Sequence, residues 1–511
     1  MRRGVLAAAA AVAVLGVAVA LVVVRQPTDV ALLVVLGLVA GTVTVVVPRA
    51  GLFLLLVAML FSPEIPIGKL AERAVTVRAD DVLLVLIVVG WLVRQGVWRR
   101  LGVVRRSPTN GVVLAMSVVI VISVLVGLVL GTVTSPARGF FFGLKRLEYF
   151  VVYLMVLNVL ETEFDLKLAL VLFGVSLFVI DLIALAQYWL FPLGLRALGG
   201  VTGPFGVGEA NTLAGFYLLI IPVVLALALK SRRPSATAAL VGLGVLSLLC
   251  LLLTKSRGAY VALPPALLVL GYGERTALRT HVLALLLVGV VGVTLLVVVL
   301  SGRAGGSRLG RHAEQIGSQF RSIGAVLRRG PGGDPSLDAR VRAWREKGKE
   351  LTGQLYPDQL GGGPRPRGGV DPEVFLQAVF GQGVGAKRLG WIDNHYVREV
   401  LETGLLGLVV FLWLNVRLFL EVRRLYLRSP LPWAQGLAIG FLAGQVGLLV
   451  HSVTVSSFYT IRTMEPFWFL VGCLMLHRYH LERSQSLTSQ TSLPAEALAK
   501  AGDVRPATCD P

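Results

Sequence analysis

Residues 111–130, GVVLAMSVVIVISVLVGLVL, run for twenty positions without a charged side chain. At about 1.5 Å rise per residue such a run, as a helix, is about 30 Å long, the thickness of a bilayer's hydrocarbon core. In lipid a backbone must satisfy its own hydrogen bonds, so the run reads as a membrane-crossing helix. Residues 4–24, 166–190 and 281–300 have the same character, and 55% of the 511 residues are hydrophobic against 15% charged. The chain therefore reads as an all-α polytopic membrane protein.

Working outward, candidate spans lie at 4–24, 29–47, 50–62, 80–98, 111–131, 147–160, 166–191, 209–230, 236–253, 258–272, 281–300, 396–420, 432–452 and 463–479. Those at 50, 147 and 258 are short, which gives roughly 12–14 transmembrane helices. The first follows Arg2 and Arg3, but its apolar stretch exceeds the roughly 7–15 residues of a signal peptide and has no clear cleavage site, so it reads as a retained span. Four regions follow: an N-terminal bundle of about eleven spans over residues 1–300, a hydrophilic loop domain over 301–395, C-terminal spans over 396–480, and a Ser/Thr/Ala/Gln-rich tail over 481–511 expected to be disordered in the cytoplasm.

Alternating sides from a cytoplasmic N-terminus puts Arg94, Arg99, Arg100, Arg105 and Arg106 inside, with Lys230, Arg232, Arg233, Arg423, Arg424 and Arg428. The short loops opposite are poorer in Lys and Arg, as the positive-inside rule requires. The long loop is then extracytoplasmic, both termini are cytoplasmic, and the expected home is the cytoplasmic membrane. The net charge of +20 is largely those inner arginines facing anionic lipid, so it does not imply nucleic acid. The loop adds Arg303, Arg308, Arg311, Arg321, Arg328, Arg329, Arg340, Arg342 and Arg345. Topology does not explain these; they suit an anionic ligand such as a lipid-linked diphosphate, or simply a solvated basic loop. Cys250 and Cys473 lie in spans and Cys509 in the tail, so neither a disulfide framework nor a metal-ligand spacing is present in the sequence.

Within the loop, residues 330–335 and 361–369 are rich in Gly and Pro and read as irregular, while 338–351 reads as a helix with Val341, Trp344 and Leu351 on one stripe. Local motifs line up along the outward face in a fixed order. Val201-Thr202-Gly203-Pro204-Phe205-Gly206 precedes Asn211-Thr212-Leu213-Ala214-Gly215, then the tight turn Thr254-Lys255-Ser256-Arg257-Gly258-Ala259-Tyr260. Ser336-Leu337-Asp338-Ala339-Arg340, Gly381-Gln382-Gly383-Val384-Gly385, Asp393-Asn394-His395-Tyr396 and Glu402-Thr403-Gly404-Leu405-Leu406-Gly407 follow.

This series resembles the O-antigen ligase and polymerase superfamily of bacterial membrane glycosyltransferases, over roughly residues 78–470. The resemblance implies transfer of a glycan from a polyprenyl diphosphate carrier to an acceptor hydroxyl outside the cytoplasmic membrane, with no cofactor and no metal. The ligase branch has His-Asn, nine residues, then Gly-x-x-Gly; here Asp393 precedes Asn394, which is closer to the polymerase and exopolysaccharide side. A ligase joining glycan to a lipid or protein acceptor is the neighbouring alternative.

Glycosyl transfer needs a group to orient or deprotonate the acceptor, and Asp393 or His395 at a helix end is the candidate. The departing diphosphate needs cationic donors, for which Arg257 and Arg340 are the candidates, with Asn211, Lys255, Asn394 and Glu402 in support. Each has a plainer reading: Asp393 and Asn394 as a helix N-cap, Arg257 as a head-group anchor, Arg340 as a solvated arginine, and Gly258, Gly404 and Gly407 as close-packing positions. Two features point to other classes. Asp181 lies mid-span, as in a proton relay or a lipid-linked glycan transporter. Asp80-Asp81 opens a span, where it either caps the helix or offers a divalent-cation site.

The orientation makes a direct prediction. A cysteine at Ser318 should react with impermeant thiol reagent in intact cells, with any outer envelope made permeable, and one at Ser231 should not. The reverse pattern would invert the topology.

Overall fold

The computed structural model of the chain describes residues 28–62, 65–70, 73–97, 104–190, 210–273, 308–355, 372–386 and 392–491. In order these form α1 (Thr28–Val46), α2 (Pro48–Phe61), β1 (Ile65–Leu70), β2 (Arg73–Val77), α3 (Ala79–Val97), α4 (Asn110–Val129), α5 (Pro136–Val159) and α6 (Glu163–Leu190). Then come α7 (Ala210–Lys230), α8 (Pro234–Leu253), α9 (Arg257–Gly273), α10 (Arg308–Arg329), α11 (Pro335–Leu355), α12 (Pro372–Phe380), α13 (His395–Arg428), α14 (Pro432–His451) and α15 (Ile461–Thr491). Pro48, Pro136, Pro234, Pro335, Pro372 and Pro432 each stand first in their helix, where the missing N–H costs nothing and the fixed φ is already helical.

Among the described residues, six helices are long and apolar enough to cross a membrane: α4, α6, α7, α8, α13 and α14. The candidate spans at 4–24 and 281–300 lie outside the described residues. The all-α expectation is modified by one antiparallel hairpin, β1 with β2, pairing Ile65 with Val77 and Leu70 with Arg73. The short candidate at 147–160 is the second half of the 24-residue α5, so Lys145 and Arg146 sit inside a helix rather than before one. At the C-terminus α15 continues to Thr491, taking in the first eleven residues of the expected tail.

The core is seamed by α7 and α14. On α14, Gly436, Gly440 and Gly444 recur every fourth residue, and a Cβ on Gly440 or Gly444 would lie 2.5 Å from α7 backbone. Small residues on one helix stripe let two backbones touch, which replaces the missing hydrophobic drive between helices in lipid. Gly404, which the sequence also suggested as a close-packing position, is one against α12: a Cβ there would lie 2.1 Å from Val379 O, whereas one on Gly407 would meet Thr403 of its own helix.

Gly404 does something else. Its φ of 73° interrupts α13, and the carbonyls thereby freed need donors. The Gly381–Gly385 motif supplies them: Gln382 N–H donates to Leu401 O (2.8 Å) and Gly383 N–H to Glu402 O (3.1 Å). Ser123 Oγ on α4 donates to Glu402 O as well (2.5 Å). Gly381, Gly383 and Gly385 all have positive φ, so two glycine motifs far apart in sequence form one device.

Helix ends sort into two groups. At one, Arg462 donates to Ser62 O (2.8 Å), Arg138 to Gly385 O (2.6 Å), Arg340 to Thr454 O (3.0 Å) and His395 N–H to Ser452 O (2.9 Å). At the other, Arg105 donates to Leu157 O (2.8 Å), Tyr426 to Gly273 O (2.6 Å) and Trp433 to Glu163 (3.0 Å). The loop helices α10, α11 and α12 belong to the first end. The helix expected at 338–351 is α11, starting three residues earlier, and the irregular stretch from Gly330 (φ 68°) is a tight turn ending at Asp334.

Gly404→Ala should destabilise the protein by more than the roughly 1–2 kcal/mol of a left-handed alanine, because its Cβ would also lie 2.1 Å from Val379 O. Gly111→Ala, with open space around it, should be neutral or mildly stabilising in its helix. Thermal melting of the detergent-solubilised variants compares them.

Candidate active site at the loop end of the bundle

The Thr254–Tyr260 turn is a break between α8 and α9 built by two short contacts and one left-handed residue. Thr254 Oγ1 bonds Leu251 O (2.6 Å), Ser256 Oγ bonds Asn211 Oδ1 (2.9 Å), and Lys255 has a φ of 55°. Lys255 is the one non-glycine residue with positive φ among those described. Such a conformation costs about 1–3 kcal/mol and persists where its surroundings over-determine it. Here it sends Lys255 Nζ to Gln315 of α10 (2.5 Å). Gly258 has no room for a Cβ, which would sit 2.4 Å from Thr454 Oγ1, so the start of α9 lies directly on the turn after α14.

Arg257 reaches α10 and the turn beyond it: its NH1 donates to Ser322 Oγ (2.8 Å) and pairs with Asp334. Asp334 in turn accepts the Leu337 N–H (2.9 Å), capping α11. Burial pushes the Asp334 carboxyl up, but the Ser322 hydroxyl, the Leu337 N–H and the Arg257 guanidinium outweigh it and hold it below the usual aspartate range. Two turns into α11, Arg340 pairs through Nε with Asp393 (2.9 Å) and donates to Thr454 O (3.0 Å).

These elements enclose a cavity of about 390 Å³ lined by Asn211, Lys255, Arg257 and Arg340 on its polar side. Ile323, Val326 and Leu327 of α10 and Val450, Val453 and Val455 supply an apolar wall. Four of the eight residues singled out from sequence thus share one cavity, and Asp393 is one ion pair away from it. Arg257 and Arg340 are each about one-third exposed (32%), so both guanidiniums can exchange partners with a ligand.

The neighbouring residues have different places. Asn394, not Asp393, caps α13: its Oδ1 accepts the Val397 N–H (3.1 Å). His395 is 1% exposed, with its ring centroid 4.8 Å from Phe411 and 5.5 Å from Phe458. It lines a separate cavity of about 20 Å³, room for about one water, and among the described residues neither ring nitrogen has a hydrogen-bond partner. Glu402 is enclosed too, bonded by Arg146 (2.9 Å) and Arg398 (2.9 Å), while Arg146 also bonds Glu399 (2.6 Å). Arg398 stacks over the Tyr459 ring at 3.3 Å. Two arginines and two glutamates make this buried network neutral, the condition under which charges are tolerated away from water. His395 and Glu402 therefore belong to the packing that fixes α13, apart from the cavity.

Sequence reading missed Arg146, Arg398 and Glu399. The available signal was three charged residues, Lys145, Arg146 and Glu148, beside an apolar run; inside a span such residues pair inward. The Asp80-Asp81 pair resolves similarly. Asp81 accepts the Arg78 N–H (3.0 Å) as a helix cap does, and Asp80 pairs with Arg78 and accepts from Ser62 Oγ (2.5 Å). With Glu148 and Glu465 they form four carboxylates within 4.8 Å of one another, a grouping that would accept a metal ion by geometry. Arg78, bonded to Glu465 (2.6 Å), and Lys145, bonded to Asp81 (2.6 Å), already place two cations among them. Mid-span Asp181 accepts from Tyr217 (2.7 Å) and Ser247 (2.7 Å), tying α6 to α7 and α8. The Val201–Gly206 motif lies outside the described residues.

No known family matches this chain, and no curated protein matches it either.

The capping assignment is testable by stability alone. Asn394→Ala should lose about 1 kcal/mol, whereas Asp393→Asn should lose only the roughly 0–1 kcal/mol of a partly exposed ion pair. Equal melting temperatures for Asn394→Ala and the parent would remove the cap.

Proposed function

We propose that the chain is a membrane-embedded glycosyltransferase that takes a glycan from a polyprenyl diphosphate carrier and passes it to an acceptor hydroxyl, polymerase-like, at the extracytoplasmic side of the cytoplasmic membrane. The observation that carries this reading is the convergence of Asn211, Lys255, Arg257 and Arg340 on one half-apolar cavity. Its volume falls in the usual range of small-molecule sites, about 300–1,000 Å³. Planar guanidiniums match phosphate oxygens bidentately, the lysine adds a point charge, and the valine-rich wall suits the first isoprene units of a carrier.

In this reading the acceptor oxygen attacks the anomeric carbon as the carbon–oxygen bond to the phosphate breaks. The bonding electrons leave with the diphosphate, where Arg257, Arg340 and Lys255 stabilise the charge. The hydroxyl proton passes to the Asp393 carboxylate. Donor phosphate competes with Asp393 for Arg340, so binding of the donor itself frees the base. Asp334 holds Arg257 in the same manner, and both arginines are thereby pre-oriented before substrate arrives. His395, enclosed by Phe411 and Phe458, supports the helix end rather than the chemistry.

Purified protein incubated with radiolabelled polyprenyl-diphosphate glycan should release polyprenyl diphosphate and lengthen the glycan. Arg257→Lys should lose most of the activity at equal expression, since an ammonium lacks the planar fork. Asp393→Asn should remain folded and lose roughly 100-fold in rate. Translocation of intact donor without release would replace this reading with a transporter. Full rates in Asp393→Asn would move the base elsewhere.

A further inference from the structure

Helix α10 carries a pattern that the cavity uses only in part. Its sequence is RLGRHAEQIGSQFRSIGAVLRR, with Leu309, Ala313, Ile316, Phe320, Ile323 and Leu327 spaced four and three residues apart. At 100° per residue these fall on one narrow stripe. The helix holds five arginines and one glutamate, and at that same pitch every one of them falls off the stripe. Where the stripe meets the bundle Ile316 is covered, at 4% exposed, and Phe320, still 37% exposed, stacks on Tyr260 at 5.2 Å with the rings nearly parallel. Further along it runs off the protein. Leu327 is 82% exposed, and Arg321, Arg328 and Arg329 around it are exposed as well. Val261 of α9, beside it in the cavity lining, is 50% exposed.

An apolar stripe that leaves the protein beside exposed arginines, at the end of a membrane bundle, has the composition of an interfacial helix: low overall hydrophobicity, one apolar face and cations flanking it. We infer that the C-terminal half of α10 lies in the membrane interface and docks on anionic phospholipid, with Leu327 inserted among acyl chains and Arg321, Arg328 and Arg329 on head-group phosphates. Charge complementarity selects this occupant over a neutral surface, because basic residues are drawn to an anionic membrane. The inference requires no donor substrate, although Leu327 also lines the cavity of the proposed function.

The test uses the full chain in nanodiscs, with Cys509→Ser to remove the tail thiol; Cys250 and Cys473 are buried. An environment-sensitive fluorophore is placed on Leu327→Cys, and separately on Ser318→Cys, which is exposed and lies on the opposite face of the same helix. Brominated phospholipid should quench the probe at 327 at least several-fold more than at 318. Quenching should be stronger in phosphatidylglycerol-containing discs than in phosphatidylcholine alone, and Arg321→Gln/Arg328→Gln/Arg329→Gln should abolish that lipid difference. Added inorganic phosphate should leave the quenching unchanged; loss of quenching with phosphate would show a soluble-anion site and overturn the proposal. Equal quenching at 318 and 327, or no dependence on lipid charge, would overturn it too. Arginine substitution that leaves the lipid difference intact would do the same.

Discussion

The structure turns on how α13 is broken. In lipid an unsatisfied carbonyl costs several kcal/mol, so a helix can be opened only where donors are already waiting. At Gly404 those donors are Gln382 N–H, Gly383 N–H and the Ser123 hydroxyl. That requirement ties the end of the polar loop to α4 and α13 at once. It also fixes the short helical segment from His395 to the break, whose Glu399 and Glu402 are gripped by Arg146 from α5. The start of that segment carries Asp393 to Arg340. Remove the break, and the end of the loop loses these contacts to α4 and α13, while the ion pair at the cavity loses its fixed partner.

Much of this was legible in the sequence because the period of apolar residues is a local property. The helices from Asn110, Ala210 and Pro432 begin within two residues of where the apolar runs do. The cavity was legible for a different reason: Asn211, Lys255 and Arg257 are polar groups stranded at the ends of apolar runs, where a membrane protein can use them, and Arg340 belongs to the Ser336–Arg340 motif of the hydrophilic loop. What the sequence hid was pairing across distance. Nothing local says that Arg146 meets residues 253 and 256 positions away, or that the Gly381 motif completes the break at Gly404. The adjacent Asp393, Asn394 and His395 were hard for the opposite reason. One turn sends three neighbouring side chains to an ion pair, a cap and an aromatic enclosure, and sequence proximity conceals the separation.

The two cavity arginines share a design. Each is already paired with a carboxylate, Asp334 for Arg257 and Asp393 for Arg340, and each is partly open. A guanidinium so held has lost most of its rotamer freedom before a ligand arrives, which reduces the entropy of binding. The same carboxylates repel any anion that cannot displace them. Under the proposed function, a singly charged anion has less to offer than a diphosphate, and the pairs would act as a filter on ligand charge.

The glycine stripe on α14 has a mechanical consequence. Two helices that meet through interdigitated side chains can shear, because rotamers give way gradually. Two that meet backbone to backbone through Gly436, Gly440 and Gly444 cannot: sliding by one residue would bring Leu437, Phe441 and Gln445 against a backbone that leaves no space for them. The α7–α14 seam therefore behaves as a keel. Any displacement that the proposed function requires falls to the parts outside the seam, namely α10 and the turn leading into α11, which are held by the Lys255 and Arg257 contacts, the Phe320 stack and Ile316.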